Sequence, residues 1–279
     1  CQTYKDLELI VVDDGSTDNS KDIVLSHSQD DRLRYIHQRN RGFSAANNTG
    51  LKESEGEFIG FIGQDDLWMP NKLRCQVEYL ERHKRVDLVH SDLYHIDSSG
   101  RTIKRRNPRI PRFSSNSEYV KELFLRNFLC FQTVLVRREC FNEVGSFDER
   151  MIVCSDHDLW LRMAGKFKMA YIKKPLVKKR YHPKQLMKVR KEAAIKDEFL
   201  LTKKAVAQYP FLERYIKRKM AELYYVWGVA LLEKGNKKSA REKFLQAIKY
   251  RPWKLKAVAI YCAPTLYKIV LDHYAKIEV

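Results

Sequence analysis

Short apolar runs alternate with amphipathic stretches along residues 1–172. The apolar runs are rich in β-branched and aromatic residues, which predicts buried strands, and the stretches between them have helical spacing. Strands that alternate with helices predict an α/β layer with a mainly parallel sheet. The predicted strands are 7–14, 33–38, 57–63, 86–92, 131–138 and 168–172. The predicted helices include 40–54, 70–83 and 155–165.

From about residue 187 the spacing of apolar residues is helical to the end, which predicts an all-α C-terminal extension. Within it, residues 221–253 resemble one tetratricopeptide repeat. The residues at that repeat's offsets are Tyr224, Trp227, Gly228, Leu231, Ala240, Phe244, Ala247 and Pro252. An ordinary helical hairpin with Gly235 and Asn236 in its turn is the alternative interpretation. One repeat cannot bury its faces alone, so we expect it to pack on the neighbouring helices.

The excess positive charge of the chain lies in this C-terminal part. The formal net charge is +18. Residues 1–165 contain 24 Lys/Arg and 26 Asp/Glu, whereas residues 166–279 contain 29 and 9. This shift in composition predicts two domains, residues 1–182 and a basic helical extension over residues 183–279.

The cysteines, the apolar runs and the first residue narrow the class of protein. The chain contains no run of 18 or more apolar residues, so we expect no membrane-spanning helix. The six cysteines show no C-x-x-C spacing, so they predict neither a disulfide framework nor a zinc site and are typical of a reducing cytoplasm. The chain begins with Cys1 rather than Met, without a signal-peptide pattern, and we expect a fragment whose start is missing.

Two pairs of adjacent acids follow predicted strands. We call Asp13 and Asp14 the first acidic pair, and Asp65 and Asp66 the second. In parallel sheets ligands bind outside the carboxyl ends of the strands, so both pairs are expected at the ligand edge. Adjacent carboxylates repel each other, and a Mg²⁺ or Mn²⁺ ion bound to a diphosphate would relieve that repulsion. The alternative for the second pair is a cluster that caps the helix beginning near Pro70.

Three further segments are candidates for chemistry. In VVDDGSTDNS (11–20) an acid followed by Gly-Ser suits a pocket for a nucleotide base, and a capped strand–helix turn is the alternative. The glycines of NRGFSAANNTG (40–50) permit close approach of a ligand to the backbone. In CSDHDLWLRMAG (154–165), Asp156 or Asp158 near the helix start is a candidate general base for an acceptor hydroxyl, and a helix cap is again the alternative.

The order of these segments, together with FIGFIGQDDLWMPNKL and GSFDE, resembles the family-2 inverting glycosyltransferases of the GT-A fold over residues 1–182. The resemblance implies that Asp14 recognises the nucleotide base, usually uracil, with Asp13 beside it. It implies that Asp65 lies near the ribose and that Asp66 holds the metal ion on the donor diphosphate. His182, in KRYHP, resembles a downstream histidine that approaches the metal or diphosphate.

The same resemblance implies that Asp156 is the general base. Three departures from the family pattern stand out. The usual opening strand and its loop are absent before QTY, Asn47 replaces a common arginine, and Ser155 replaces the usual glutamate. Asp158 remains as an acidic neighbour of Asp156.

The implied function is transfer of a sugar, with inversion, from a nucleotide-sugar donor to a glycan or lipid-linked acceptor in polysaccharide synthesis. There are two alternatives. One is a degenerate transferase domain that acts as an interaction protein, and the other is a nucleotidyltransferase. The segment 251–271 pairs basic residues with Trp253, Tyr261 and Tyr267 around an apolar face. This pattern predicts a helix on an anionic membrane surface, with core packing as the alternative. Nucleic acid is not an expected partner. We expect a cytoplasmic protein, peripheral on the inner face of the membrane.

Overall fold

The computed structural model describes residues 2–106, 113, 115–183 and 185–252. They divide into two units. The N-terminal unit comprises residues 1–123 and 127–182, and the C-terminal unit comprises residues 124–126 and those from 183 onward.

The described residues of the N-terminal unit form two sheets. In the small sheet β1 (Leu9–Asp13) pairs in parallel with β2 (Leu33–His37). The large sheet has the order β3-β7-β5-β8-β4, and β6 pairs with the other part of β5. Its strands are β3 (Phe58–Gly60), β4 (Leu67–Trp68), β5 (Leu88–Ile96), β6 (Thr102–Arg106), β7 (Leu135–Arg137) and β8 (Met169–Arg180).

The predicted layer of strands and helices is present, and its large sheet is mixed rather than mainly parallel. Among the described residues of this sheet only β5 and β8 run parallel, and the other pairs are antiparallel. A parallel pair needs a long crossover, whereas β5 and β6 are joined by the tight turn 97–101. The remaining antiparallel neighbours are far apart in the sequence, so the local alternation of strands and helices does not determine their direction.

Strand β8 is much longer than the predicted strand 168–172 and contains an irregularity. Ser91 of β5 pairs with Ile172, but the next residue, Asp92, pairs with Pro175, and the register changes again before Leu93. Lys173 and Lys174 therefore form a bulge in β8. Beyond the bulge the strand continues to Arg180, beside the second acidic pair.

Helices cover the sheets where their apolar side chains repeat at helical spacing. In α3 the side chains of Val77 and Leu80 are buried, and in α6 the side chain of Trp160 is fully buried. The helices of this part are α1 (Ser20–Leu25), α2 (Phe43–Glu53), α3 (Lys72–Arg82), α4 (Asn116–Leu125), α5 (Glu139–Val144) and α6 (Ser155–Lys166).

An aromatic cluster connects the segments that carry the candidate acids. Phe131 lies with its ring centroid 5.0 Å from both Phe43 at the start of α2 and Phe61 after β3. Phe61 also contacts Phe147 at 5.2 Å and Trp160 of α6 at 6.5 Å. Edge-to-face and offset contacts of this kind stabilise aromatic cores beyond the area they bury. The cluster thus holds the ends of α2, β3 and α6 together.

The described part of the C-terminal unit is helical. It contains α7 (Leu186–Val189), α8 (Lys191–Gln208), α9 (Ile216–Glu233) and α10 (Lys237–Tyr250). Helices α9 and α10 form the predicted hairpin, with Gly235 at φ +77° in the turn. Gly228 packs so closely on Phe244 that an added Cβ would lie 2.6 Å from its ring. The tetratricopeptide assignment stays a prediction, and the segment 251–271 lies outside the described residues from 253 onward.

None of the helices in the described part of the chain is both long and apolar enough to cross a lipid bilayer.

Candidate active site

The first acidic pair lies at the end of β1 and is surrounded by hydrogen-bond donors. Asp13 is only 8% exposed and accepts hydrogen bonds from the Tyr35 hydroxyl at 2.5 Å and the Ser16 amide at 2.7 Å. These bonds, that of Tyr35 above all, lower the pKa of Asp13 to about 2. Asp13 therefore has the turn-capping contact that the alternative interpretation predicted.

Asp14 is held by the loop after β2. Its carboxylate accepts hydrogen bonds from the Gln38 side chain at 2.7 Å and from the amides of Arg41 and Gly42 at 2.9 and 2.7 Å. Gly42 has φ +90°, a conformation that favours glycine, and it precedes α2 directly. The loop 38–42 is thus folded around the carboxylate of Asp14.

The second acidic pair differs between its two members. The side chain of Asp65 is 49% exposed, whereas Asp66 is only 8% exposed. Asp66 Oδ1 accepts a hydrogen bond from the Arg180 amide at 2.8 Å, and Oδ2 accepts one from the Gln132 side-chain amide. Burial raises the pKa of Asp66, because an ionised carboxylate is costly away from water.

The end of β8 organises this loop. The Arg180 guanidinium donates to the carbonyl oxygen of Asp65 at 3.0 Å and to those of Asp97 and Ser98 at 3.0 and 2.9 Å. Two residues later, His182 Nε2 lies 3.2 Å from Asp65 Oδ2. The predicted site residues Asp65, Asp66 and His182 are therefore brought together by one strand end.

Asp156 lies in the first turn of α6, half-buried, and its carboxylate accepts a hydrogen bond from the His157 amide at 2.7 Å. Asp158 has a different role, because it is buried in an ion pair with Arg162 Nε at 2.8 Å. Arg162 also donates to the carbonyl oxygen of Ser146 at 2.8 Å. Asp158 therefore holds Arg162, which in turn contacts the segment before α6 at Ser146. Of the two candidates for the general base, Asp156 is the more accessible acid.

Helix α2 links the Asp14 loop to the start of α6. Ser44 Oγ lies 2.8 Å from Ser155 Oγ, next to Asp156. Asn48 pairs with the backbone of Phe147, donating to its carbonyl oxygen at 3.0 Å and accepting from its amide at 2.9 Å. Asn47, at the position of the expected arginine, donates to the carbonyl oxygen of Phe43 in its own helix at 2.8 Å.

The donor atoms around the second pair suit a hard cation completed by substrate oxygens. Within the described residues no group of three or more His, Cys, Asp or Glu side chains is placed to hold a metal ion without other ligands. Mg²⁺ and Mn²⁺ bind through one or two carboxylates together with phosphates, and carboxylate oxygens are the donors they prefer. Each Asp66 oxygen accepts one of the N–H hydrogen bonds described above. Because a carboxylate oxygen has two acceptor positions, these hydrogen bonds are compatible with a cation bound to the same carboxylate.

Sequence reasoning missed Gln132 and Arg180. Gln132 is a lone amide in the apolar run FLCFQTVLV, and a polar residue in such a run is a signal that it has a buried partner. Arg180 belongs to a basic stretch, KKR, that gives no comparable signal.

A family model described as glycosyl transferase family 2 matches residues 1–145. An uncharacterised glycosyltransferase of Rickettsia conorii is 31% identical over 187 residues, which are 66% of this chain and 31% of that protein. An uncharacterised glycosyltransferase of Nostoc is 35% identical over 152 residues, 53% of this chain and 47% of that protein. The chain spans about a third of the length of three Rickettsia relatives, including the one from R. conorii.

Two solved structures are similar in fold. One is TarS of S. aureus (residues 1–349) in complex with UDP-GlcNAc, with a TM-score of 0.58 and 18% identity, covering 88% of this chain and 74% of that one. The other is the mannosyltransferase PcManGT of Pyrobaculum calidifontis in complex with GDP-Man and Mn²⁺, with a TM-score of 0.55 and 17% identity, covering 99% and 73%.

Proposed function

Because the chain belongs to glycosyl transferase family 2 and adopts the GT-A fold, as its ordered motifs predicted, we propose that it transfers a sugar from a nucleoside-diphosphate donor to a hydroxyl acceptor with inversion. The observation that carries the proposal is the second acidic pair, where a buried and oriented Asp66 stands beside an exposed Asp65. We propose residues 1–182 as the transferase domain and residues 183–279 as its basic extension.

The donor is proposed to be a UDP-sugar held at both acidic pairs. Asp14, with Asp13 beside it, would accept hydrogen bonds from the base, and Asp65 would lie near the ribose. The nucleotides in the two similar structures, UDP-GlcNAc and GDP-Man, support a nucleotide-sugar donor. We expect the acceptor to be a cell-surface glycan or a lipid-linked intermediate.

Asp66, with His182 as a further candidate, would hold a divalent cation, Mg²⁺ or Mn²⁺. Such an ion, when bound, offsets the charge that develops on the departing diphosphate. The Mn²⁺ in the mannosyltransferase complex supports this choice of metal. Asp66 is suited to the role because its two hydrogen bonds fix the carboxylate in position while burial disfavours leaving its charge without a cation.

Asp156 would act as the general base. Its carboxylate takes the proton of the acceptor hydroxyl while that oxygen attacks the anomeric carbon, and the bond from this carbon to the diphosphate oxygen breaks in the same step. A single in-line displacement inverts the anomeric centre, and the nucleoside diphosphate leaves with the electron pair of the broken bond. The position of Asp156 in the first turn of α6, half-exposed and next to the Ser44–Ser155 contact, supports this role.

The decisive experiment is a donor panel. The chain is incubated with different nucleotide sugars, with and without Mn²⁺, and release of nucleoside diphosphate is measured. We expect one donor class to be hydrolysed in a metal-dependent way. Asp156→Asn should lower transfer by about 10²- to 10⁴-fold while nucleotide binding stays nearly intact. Normal transfer by this variant would refute the base assignment, and nucleotide binding with no turnover by the wild type would favour the interaction-protein alternative.

We also propose that the basic extension binds an anionic membrane surface from the cytoplasmic side, where lipid-linked acceptors would be accessible. The support is its charge, 22 basic against 9 acidic residues over 183–279, together with the pattern of segment 251–271. Co-sedimentation with phosphatidylserine liposomes at low salt tests this. Failure to pellet with such liposomes would contradict the proposal.

A further inference from the structure

Gln132 and Asp66 form a buried contact between segments that are far apart in the sequence. Gln132 lies within the apolar stretch that leads into β7, and its side-chain amide donates to Asp66 Oδ2. Gln132 is 9% exposed and Asp66 is 8% exposed, so water has little access to replace this bond. We infer that Gln132 is the positioning residue that fixes the orientation of the Asp66 carboxylate, an inference that rests on the metal role proposed above for Asp66.

The direction of the Gln132 amide is determined by a second contact. Cys130 Sγ lies 3.0 Å from Gln132 Oε1, so the thiol donates to the amide oxygen and the amide nitrogen faces Asp66. The reverse orientation would place the amide oxygen against the carboxylate and the NH₂ group against the thiol, which loses the donor that an anionic oxygen needs. The side chain of Gln132 is therefore a directed donor to Asp66.

The backbone that carries Gln132 is also held in place. The Trp68 indole N–H donates to the Gln132 carbonyl oxygen at 3.0 Å, and the Gln76 side chain donates to that of Thr133 at 2.8 Å. Lys72 Nζ donates to Gln76 Oε1 at 2.6 Å and lies 3.9 Å from the centroid of the Trp68 ring. Polar side chains of β4 and α3 thus satisfy consecutive carbonyl groups behind Gln132.

The two oxygens of Asp66 are consequently held from two sides. The Arg180 amide in β8 fixes Oδ1, and the Gln132 amide fixes Oδ2. Partners that orient a metal-binding carboxylate commonly raise metal affinity or activity by about 10- to 100-fold. Of the two donors only the one from Gln132 belongs to a side chain, so it is the contact that a substitution can remove.

The test measures Mn²⁺ binding rather than turnover. Mn²⁺ is titrated into the chain in the presence of UDP, and free Mn²⁺ is followed by electron paramagnetic resonance. Gln132→Met keeps the length of the side chain but has no N–H donor, and we expect the Kd for Mn²⁺ to rise about 10- to 100-fold. UDP binding without metal should stay within about twofold of wild type, because Gln132 would not touch the nucleotide directly.

Thr133→Val is the matched control. It removes a hydrogen bond of the same turn, from Thr133 Oγ1 to the Cys130 carbonyl oxygen at 2.7 Å, but not the one to Asp66. We expect a similar loss of thermal stability with nearly unchanged Mn²⁺ affinity. If Gln132→Met fails to fold, Gln132→Asn, whose amide is one methylene too short to reach Asp66, carries the same expectation.

The outcomes separate the inference from the proposed function. Wild-type Mn²⁺ affinity in a folded Gln132 variant, or an equal loss in Thr133→Val, would overturn the role of Gln132. Unchanged Mn²⁺ affinity in Asp66→Asn, or no Mn²⁺ binding by the wild type, would instead overturn the metal role of Asp66. If both roles hold, adding Gln132→Met to Asp66→Asn should weaken Mn²⁺ binding no further.

Discussion

The two acidic pairs have the same composition, two adjacent aspartates after a strand, but opposite electrostatic surroundings. Around the first pair, hydroxyl and amide donors lower the pKa of Asp13 to about 2. At the second pair, burial raises the pKa of Asp66 despite its two hydrogen bonds. Asp13 is therefore stable as an anion within its own loops, whereas Asp66 would gain from a nearby cation.

This difference shows that adjacent acids in a sequence do not define a metal site by themselves. Asp14 has its carboxylate enclosed by the loop 38–42, while Asp65 has its side chain 49% exposed. Asp13 and Asp66 are equally exposed at 8%, so the hydrogen-bond donors to Asp14 and the exposure of Asp65 distinguish the two pairs. Three predictions test the contrast, from the largest expected effect to the smallest.

The largest effect is expected from charge removal at each pair. Asp66→Asn should lower kcat/KM at saturating Mn²⁺ by about 10²-fold or more, because the substitution removes the charge that we propose holds the metal on the donor diphosphate. Asp14→Asn should instead weaken donor binding by about tenfold, the effect of losing a charged hydrogen-bond acceptor. The measurement is initial rate against Mn²⁺ and donor concentration. Identical dependence on Mn²⁺ in both variants would contradict the contrast.

A smaller effect concerns Lys72, which donates to Gln76 and lies over the Trp68 ring behind Gln132. Its burial lowers its pKa from 10.5 to about 7. The unfolded chain therefore binds more protons than the folded one between these values, so stability rises with pH in that window, by at most about 1.4 kcal/mol per pH unit. Lys72→Met should lack this gain.

The measurement for Lys72 is the free energy of unfolding in urea at several pH values across that window. Lys84→Met, at an exposed lysine after the same helix, is the control and should follow the wild type. A constant difference between wild type and Lys72→Met at all pH values would show that Lys72 titrates normally.

The smallest effect is expected at the first pair. Tyr35→Phe removes the hydroxyl that donates to Asp13, so the pKa of Asp13 should rise toward 3.8. A lowered pKa stabilises the fold above 3.8 and the contribution disappears as pH falls through about 2. The variant should therefore melt slightly below wild type at neutral pH and converge with it near pH 2. A melting difference independent of pH would contradict this assignment.

Local pattern predicted the elements of the fold better than their pairing. The apolar runs located β1, β2 and β5, and the helical spacing located α3 and α6. Strand β6 and the second half of β8 have sequences dominated by lysine and arginine, TIKRR and VKKR, which do not show an apolar strand pattern. They form because β5 offers a partner on each side, and that is a tertiary effect.

The candidate site shows the same limit. Family resemblance named the candidate acids, but not the residues that hold them. Arg180 reaches Asp66 across 114 positions of sequence and uses its backbone amide, so its side-chain identity carries no signal of this contact. Asp158 looked equivalent to Asp156 in the sequence, and only the distance to Arg162 shows that it forms an ion pair.

The bulge at Lys173 and Lys174 affects the direction in which the following side chains and backbone amides of β8 point. Side chains and amides alternate along a strand, so deleting one of these lysines would turn the next residues to the opposite face. The amide of Arg180 would then point away from Asp66, although neither residue had been changed. Relatives whose strands differ here by one residue are therefore expected to hold the acidic loop by different contacts, and an alignment gap at this bulge is a better guide to an altered site than the aspartates themselves.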